Sequence, residues 1–198
     1  MRTLHRYAGT LSSWVLVTLL LEGCASHATR PEDALAATEP QRAAALKIAH
    51  LTRDLNALLD TPHPDAHRLA RTAVHHTLAL KRHYEITTNA VTHNVLIHWG
   101  IKTRGLCCHW TYDLLRALAE PPSTVFDLHW AVHHAHRSTE HSAVVITRRQ
   151  APFDTGIVLD GWRNAGALFW APANADPDYR WAANRADGRW QHTRCRFR

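Results

Sequence analysis

The chain has 198 residues, of which 45% are hydrophobic and 20% are charged, and its formal net charge is +6. This balance is typical of a globular protein rather than a disordered one, and the length suits one domain plus a targeting segment. The arginines are scattered and form no long basic run, which argues against nucleic-acid binding.

Residues 1–23 have the pattern of a bacterial lipoprotein signal peptide. A basic start, with Arg2 and Arg6, precedes an apolar run of about 15 residues, which is shorter than the roughly 20 that a membrane-spanning helix needs. Cys24 follows, and in lipoproteins this thiol receives lipid and becomes the mature N-terminus. The resemblance implies an exported protein, anchored by lipid on Cys24 and facing the periplasm or cell surface, with residues 24–38 as a tether. An uncleaved transmembrane helix is the alternative.

Four helices are predicted from apolar residues that recur at three- and four-residue steps. The first begins at Glu39, and its apolar face consists of Ala45, Ile48, Leu51, Leu55 and Leu58. The others cover about residues 65–84, 88–99 and 107–119, with prolines and glycines between them that end each helix.

After Pro122 the pattern becomes one of strands. Apolar residues alternate with polar neighbours at Phe126, Leu128, Trp130 and Val132. Residues 143–147 and 157–160 are short apolar runs, and residues 169–170 and 179–181 are either edge strands or packed loop. The short connections favour antiparallel hairpins. We therefore expect an α+β fold, with N-terminal helices packed on an antiparallel sheet, in a single domain over residues 39–198.

The residues that carry chemistry are one cysteine, one histidine and one aspartate. Cys107 opens the fourth predicted helix, where the macrodipole and unpaired backbone N–H groups both favour the nucleophilic thiolate. His141 opens one predicted strand and Asp160 closes the next. Antiparallel pairing of these strands would place the carboxylate beside the imidazole and fix its tautomer. The arrangement indicates a thiol-dependent catalytic site.

These residues resemble those of the transglutaminase-like cysteine hydrolases. In that family a Gly-x-Cys sequence, here ending in Cys107, opens a helix and is followed by an aromatic residue, here Trp110; a strand-opening His and a strand-borne Asp come later. The resemblance covers about residues 88–165. It implies a papain-like core and acyl transfer through a thioester, with Cys107 as nucleophile, His141 as general base and Asp160 as its orienting partner.

The resemblance also implies an oxyanion hole and a class of substrate. The backbone N–H of Cys107 would hold the oxyanion together with a side chain such as Trp99, and Trp110 is a second candidate for the cleft. The expected substrate is a protein, a peptide or a cell-wall polymer, and no cofactor is implied. His109 stands where the family often has Asp, which leaves the choice of substrate open.

Other residues compete for each role. Cys108 is the rival nucleophile, but its side chain is turned by about 100° from that of Cys107 on a helix. A disulfide between Cys108 and Cys195 is a further prediction. His129 and Asp154 are the weaker alternatives for the base and its orienting acid.

Seventeen histidines also suggest metal binding. His133, His134 and His136 lie near His141, but their spacing does not bring them to one point, so we predict no metal site. Two other functions stay open beside the enzyme: a non-catalytic binding module of the cell envelope on the same fold, and a histidine-rich metal-binding lipoprotein.

Overall fold

A computed structural model of the chain describes residues 38–184, which all belong to one compact unit. The predicted signal peptide, the lipidated Cys24, the tether up to residue 37 and Cys195 lie outside the described residues. Those assignments therefore stay predictions.

Between residues 38 and 184, no helix is both long enough and apolar enough to cross a membrane.

The described part of the chain contains the four predicted helices. They are α1 (Glu39–Asn56), α2 (Pro64–His83), α3 (Ala90–His98) and α4 (Cys107–Leu118). Each boundary follows local chemistry. For example, the side chain of Asn89 accepts a hydrogen bond from the backbone N–H of Thr92 and caps α3 at 2.8 Å.

The apolar face of α1 was predicted correctly except at its two ends: Leu58 lies after the end of the helix, where it is partly buried against the core. The buried residues of α1 are Ala44, Ile48, Leu51 and Leu55. Ala45 is exposed, so its assignment to the core was wrong. Ala44 lies one full turn before Ile48 and therefore shares its face, whereas Ala45 is rotated by about 100° from Ala44.

A five-stranded sheet follows the helices, and every strand pair in it is antiparallel. The strands are β1 (Phe126–His133), β2 (His141–Arg148), β3 (Ile157–Asp160), β4 (Phe169–Pro172) and β5 (Ala182–Ala183). Their order across the sheet is β4-β3-β2-β1-β5. The expected α+β class and the antiparallel hairpins are confirmed. Residues 169–170 lie in an edge strand, and residues 179–181 lie in loop.

The core lies on both faces of this sheet. The helices supply the larger cluster, in which Leu114 and Leu115 of α4 pack with Trp130 of β1 and Val144 of β2. A smaller cluster on residues such as Val145 covers the other face. Strand β2 is buried over its first seven positions as a result. The start of β2 is therefore held from both sides, and this fixes the position of its first residue.

Candidate active site

The loop that leads into α4 is fixed by hydrogen bonds from the helix itself. The Nδ1 atom of His109 accepts from the backbone N–H groups of Gly105 (3.1 Å) and Leu106 (3.2 Å). The indole N–H of Trp110 donates to the carbonyl of Gly105 at 3.0 Å. His109 thus caps the helix start, the role that an acidic residue has in a capping box. The first residue of the helix, Cys107, is held in place by these contacts.

Gly105 permits a close approach to α3. Its φ of +123° is in a region that favours glycine, and a Cβ at this position would lie 2.5 Å from Nε2 of His93. The same ring nitrogen of His93 lies 2.9 Å from the carbonyl oxygen of Arg104. The segment before Cys107 is therefore packed against α3, and α3 forms one wall beside the start of α4.

His141 and Asp160 are in direct contact. Nε2 of His141 lies 2.7 Å from Oδ2 of Asp160, and the two side chains are 4% and 1% exposed. The antiparallel pairing of β2 with β3, which runs from Ile146–Ile157 to Val144–Leu159, places the start of β2 beside the end of β3. This is the juxtaposition expected from the two strand ends.

The side chain of Cys107 completes the arrangement. Burial lowers the pKa of His141, but the Asp160 carboxylate and then a hydrogen bond and charge interaction with Cys107 raise it, to about 9 overall. Because Nε2 of His141 binds Asp160, Nδ1 is the nitrogen left for the thiol. Cys107 is partly exposed and carries a thiol rather than a disulfide. The structure thus brings all three predicted residues together.

Asp160 is held as an anion by four donors. Its Oδ1 accepts from the backbone N–H groups of Trp162 (2.9 Å) and Arg163 (3.1 Å), and its Oδ2 accepts from Nε of Arg163 (2.9 Å) besides His141. Burial raises the pKa of Asp160, but His141 and Arg163 lower it by more, so the pKa lies below its ordinary value. A carboxylate in this state keeps its orientation and stabilises a positive imidazole.

Aromatic rings cover the His141 imidazole. Its ring centroid lies 4.7 Å from that of Trp162, 4.5 Å from Tyr179 and 5.4 Å from Trp181. The indole N–H of Trp162 donates to Oδ1 of Asn94 on α3 at 3.1 Å. The imidazole is thereby shielded from water on the sides that face these rings, which strengthens its attraction to Asp160.

The two tryptophans proposed for the oxyanion hole and cleft have different positions. Trp110 is buried, and its indole N–H is already donated to Gly105, so this N–H is not available to an oxyanion. Trp99 is the residue after the end of α3 and is 70% exposed. The indole of Trp110 is instead part of the support beneath the helix start, where it meets the ring of Tyr84 edge-on.

The rival residues have other contacts. Cys108 is 1% exposed and is disulfide-bonded, with a partner outside the described residues, so the Cys108–Cys195 pairing stays a prediction. His129 lies 2.9 Å from the hydroxyl of Thr147. Asp154 is exposed in a short 3-10 helix, Phe153–Thr155. Among residues 38–184, no three His, Cys, Asp or Glu side chains are grouped as a metal would require.

Several residues around the site were not predicted. They are Asn94, Arg163, Asp176, Tyr179 and Trp181. Residues 161–181 have no clear hydrophobic period, and their contacts depend on the folded sheet. One local signal was present: Arg163 follows the Asp-Gly turn at the end of β3, three residues after the proposed triad acid.

No protein-family model, no curated protein and no solved structure matches this chain.

Proposed function

We propose that the protein is a thiol-dependent acyl-transfer enzyme of the cell envelope, an amide or peptide hydrolase or a transglutaminase-like enzyme with a papain-like core. The observation that carries this proposal is the buried contact of His141 with Asp160 beside the Cys107 thiol. Three separate elements contribute the three side chains: the first turn of α4, the start of β2 and the end of β3. Nucleophile, base and orienting acid are the parts that covalent acyl transfer requires.

The proposed chemistry needs only these groups. His141 takes the thiol proton, and the resulting thiolate of Cys107 attacks the carbonyl carbon of an amide or ester. The protonated imidazole gives its proton to the leaving amine or alcohol as the carbon–nitrogen or carbon–oxygen bond breaks, which leaves a thioester on Cys107. Water or a second amine then attacks the thioester and releases the thiol.

The electrostatics around the imidazole support the pair of thiolate and imidazolium. The raised pKa of His141 favours the protonated imidazole at neutral pH, and the helix N-terminus favours negative charge on Cys107. Asp160 stays ionised because His141 and Arg163 both lower its pKa against the effect of burial. The resting site is therefore expected to hold a reactive thiolate.

The test is the rate at which iodoacetamide alkylates Cys107, followed by peptide mass spectrometry at pH 6. We expect Cys107 to react about tenfold or more faster than a cysteine in an unstructured peptide, because the helix N-terminus and the His141 imidazolium both stabilise the thiolate. His141→Asn should remove this advantage. His129→Asn makes the same change in the adjacent strand β1, at a histidine bonded to Thr147, and should retain it.

A second measurement asks for turnover rather than reactivity. With p-nitrophenyl acetate, the wild-type protein should show an acetyl group on Cys107 that is then hydrolysed, and Cys107→Ser should show none. Alkylation of Cys107 no faster than that of the peptide thiol would contradict the proposal. Fast alkylation without any acyl intermediate would favour the non-catalytic binding module.

A further inference from the structure

Arg163 connects the candidate triad to a second buried carboxylate. Its side chain is 8% exposed. Nε donates to Asp160 at 2.9 Å, and the two terminal nitrogens donate to Asp176 at 2.6 and 3.1 Å. One planar guanidinium thus binds two buried carboxylates in two directions, as its fixed fork of donors allows, and Nη1 also donates to the exposed Asp178 at 3.1 Å.

Asp176 in turn organises the segment that follows it. Its Oδ2 accepts from the indole N–H of Trp181 at 2.9 Å, and its Oδ1 accepts from the backbone N–H groups of Asp178 (2.9 Å) and Tyr179 (3.3 Å). Burial raises the pKa of Asp176, but the hydrogen bonds from Arg163, Asp178 and Trp181 lower it to about 2. Asp176 is therefore an anion over the whole physiological range.

The segment Asp176–Trp181, which we name the aromatic strap, lies against the His141 imidazole. The ring centroid of Tyr179 is 4.5 Å from that of His141. The guanidinium carbon of Arg163 lies 4.7 Å from the same Tyr179 centroid. The strap has no regular secondary structure. It continues into the two residues of β5, and the backbone N–H of Arg180 donates to Nδ1 of His133 on β1 at 3.0 Å. The bonds to Arg163 and Asp176 hold the strap on the side of the candidate site.

We propose that Arg163 and Asp176 are positioning residues for the candidate active site: together they orient the Asp160 carboxylate and hold the aromatic strap over the His141 imidazole. This inference rests on the proposed function for its catalytic meaning, but the shielding of His141 can be measured without it. Asp160, Arg163 and Asp176 carry a combined charge of −1. Without Asp176, the positive charge of Arg163 would cancel the negative charge of Asp160. Because Asp176 neutralises Arg163, the charge of Asp160 remains to stabilise the protonated imidazole.

The electrostatic part predicts a difference between two matched variants, Asp176→Asn and Asp178→Asn. Both remove one negative charge next to Arg163, but Asp178 is 62% exposed. In Asp176→Asn the group of three becomes neutral and stabilises the His141 imidazolium less, so the midpoint of the His141 titration, followed by NMR, should fall by about one pH unit, a tenfold change in its protonation equilibrium. In Asp178→Asn the shift should stay below about 0.3 because solvent screens the charge.

The charged and titratable groups near the imidazole come from several elements. Cys107 belongs to α4, Asp160 to β3 and Tyr179 to the strap, and His133 pairs with His141 across β1 and β2. None of these is altered in the two aspartate variants. A His141 midpoint in Asp176→Asn no lower than in Asp178→Asn would overturn the electrostatic part.

The shielding part predicts a difference between Trp181→Phe and Trp170→Phe. Each removes an indole N–H that donates to an aspartate at 2.9 Å, but Trp181 binds Asp176 in the strap and Trp170 binds Asp54 of α1. Diethyl pyrocarbonate acylates accessible neutral imidazoles, and peptide mapping resolves the individual histidines. His141 should be modified about tenfold faster in Trp181→Phe than in wild type, because local opening of the strap exposes it. Trp170→Phe should match wild type.

The outcomes separate this inference from the proposed function. If wild-type Cys107 is unreactive while Trp181→Phe exposes His141, the proposed enzyme function is wrong, but the proposal that the strap shields His141 is supported. If Cys107 is reactive but neither Trp181→Phe nor Asp176→Asn differs from its control, the strap proposal fails alone. If circular dichroism shows that Asp176→Asn does not fold, the comparison of Trp181→Phe with Trp170→Phe decides. These two variants should fold because both tryptophans are only partly buried and phenylalanine keeps an aromatic ring.

Discussion

Raising the pH from 6.5 to 9 should destabilise the folded protein through one side chain, His141. Its ordinary pKa of 6.5 applies to the unfolded chain, and its folded pKa is about 9. Below pH 6.5 the imidazole is protonated in both states, and its contribution to the free energy of unfolding is complete. Between these values only the folded state keeps the proton, so stability falls as pH rises and the contribution is lost above about pH 9.

The size of the effect follows from the two pKa values. A rise from 6.5 to about 9 corresponds to about 3 kcal/mol of unfolding free energy, at 1.36 kcal/mol for each tenfold change. This figure includes the interaction of His141 with Cys107. In a Cys107→Ser background, which removes the titrating thiol, the loss should be about 1–3 kcal/mol. Most of the effect should remain because Asp160 raises the pKa of His141 more than Cys107 does.

The assay is urea unfolding at pH 6, 7, 8 and 9 in the Cys107→Ser protein, with and without His141→Asn. The fall in unfolding free energy should be present in the first protein and absent in the second, at unchanged m-value. His129→Asn is the matched control. Burial lowers the pKa of His129, so its titration affects stability below pH 6.5 and should leave the range from 6.5 to 9 unchanged. Equal slopes with and without His141 would refute the reasoning.

Two further predictions concern the support of the site and the core, and both are measured as changes in unfolding free energy. Gly105→Ala should cost about 3 kcal/mol or more, because an added Cβ meets His93, whereas Gly100→Ala, with φ +74° and open space around it, should cost only about 1 kcal/mol. Equal costs would show that the backbone strain alone matters. Leu115→Ala should cost about 2–5 kcal/mol at a fully buried position, against less than about 0.5 for the exposed Leu46→Ala.

The positions of Cys107, His141 and Asp160 in the fold could be predicted because each one depends on local sequence. Cys107 follows a glycine at the start of a periodic apolar segment, and His141 and Asp160 stand at the ends of short apolar runs joined by one connection. Period and order therefore place His141 beside Asp160, whereas the approach of Cys107 to His141 was expected from the resemblance to a family and depends on the packing of α4 on the sheet. The antiparallel pairing of β2 with β3 then follows from the short loop.

The surroundings of the triad could not be predicted in the same way. Arg163 and Asp176 are thirteen positions apart and meet only because the chain returns over the sheet. Trp110 could not be assigned from its type, since a tryptophan can line a cleft or support a loop, and its bond to the Gly105 carbonyl decides the matter. His109 is a similar case, because capping through Nδ1 depends on the tautomer and on the loop conformation.

The two adjacent cysteines at the start of α4 differ in oxidation state. Cys107 carries a thiol, and Cys108 is already in a disulfide. The helix turns their side chains apart, but an unfolded chain imposes no such separation, and a thiolate attacks a nearby disulfide readily once it can reach it. The reactivity proposed for Cys107 thus makes refolding prone to disulfide exchange in alkaline solution.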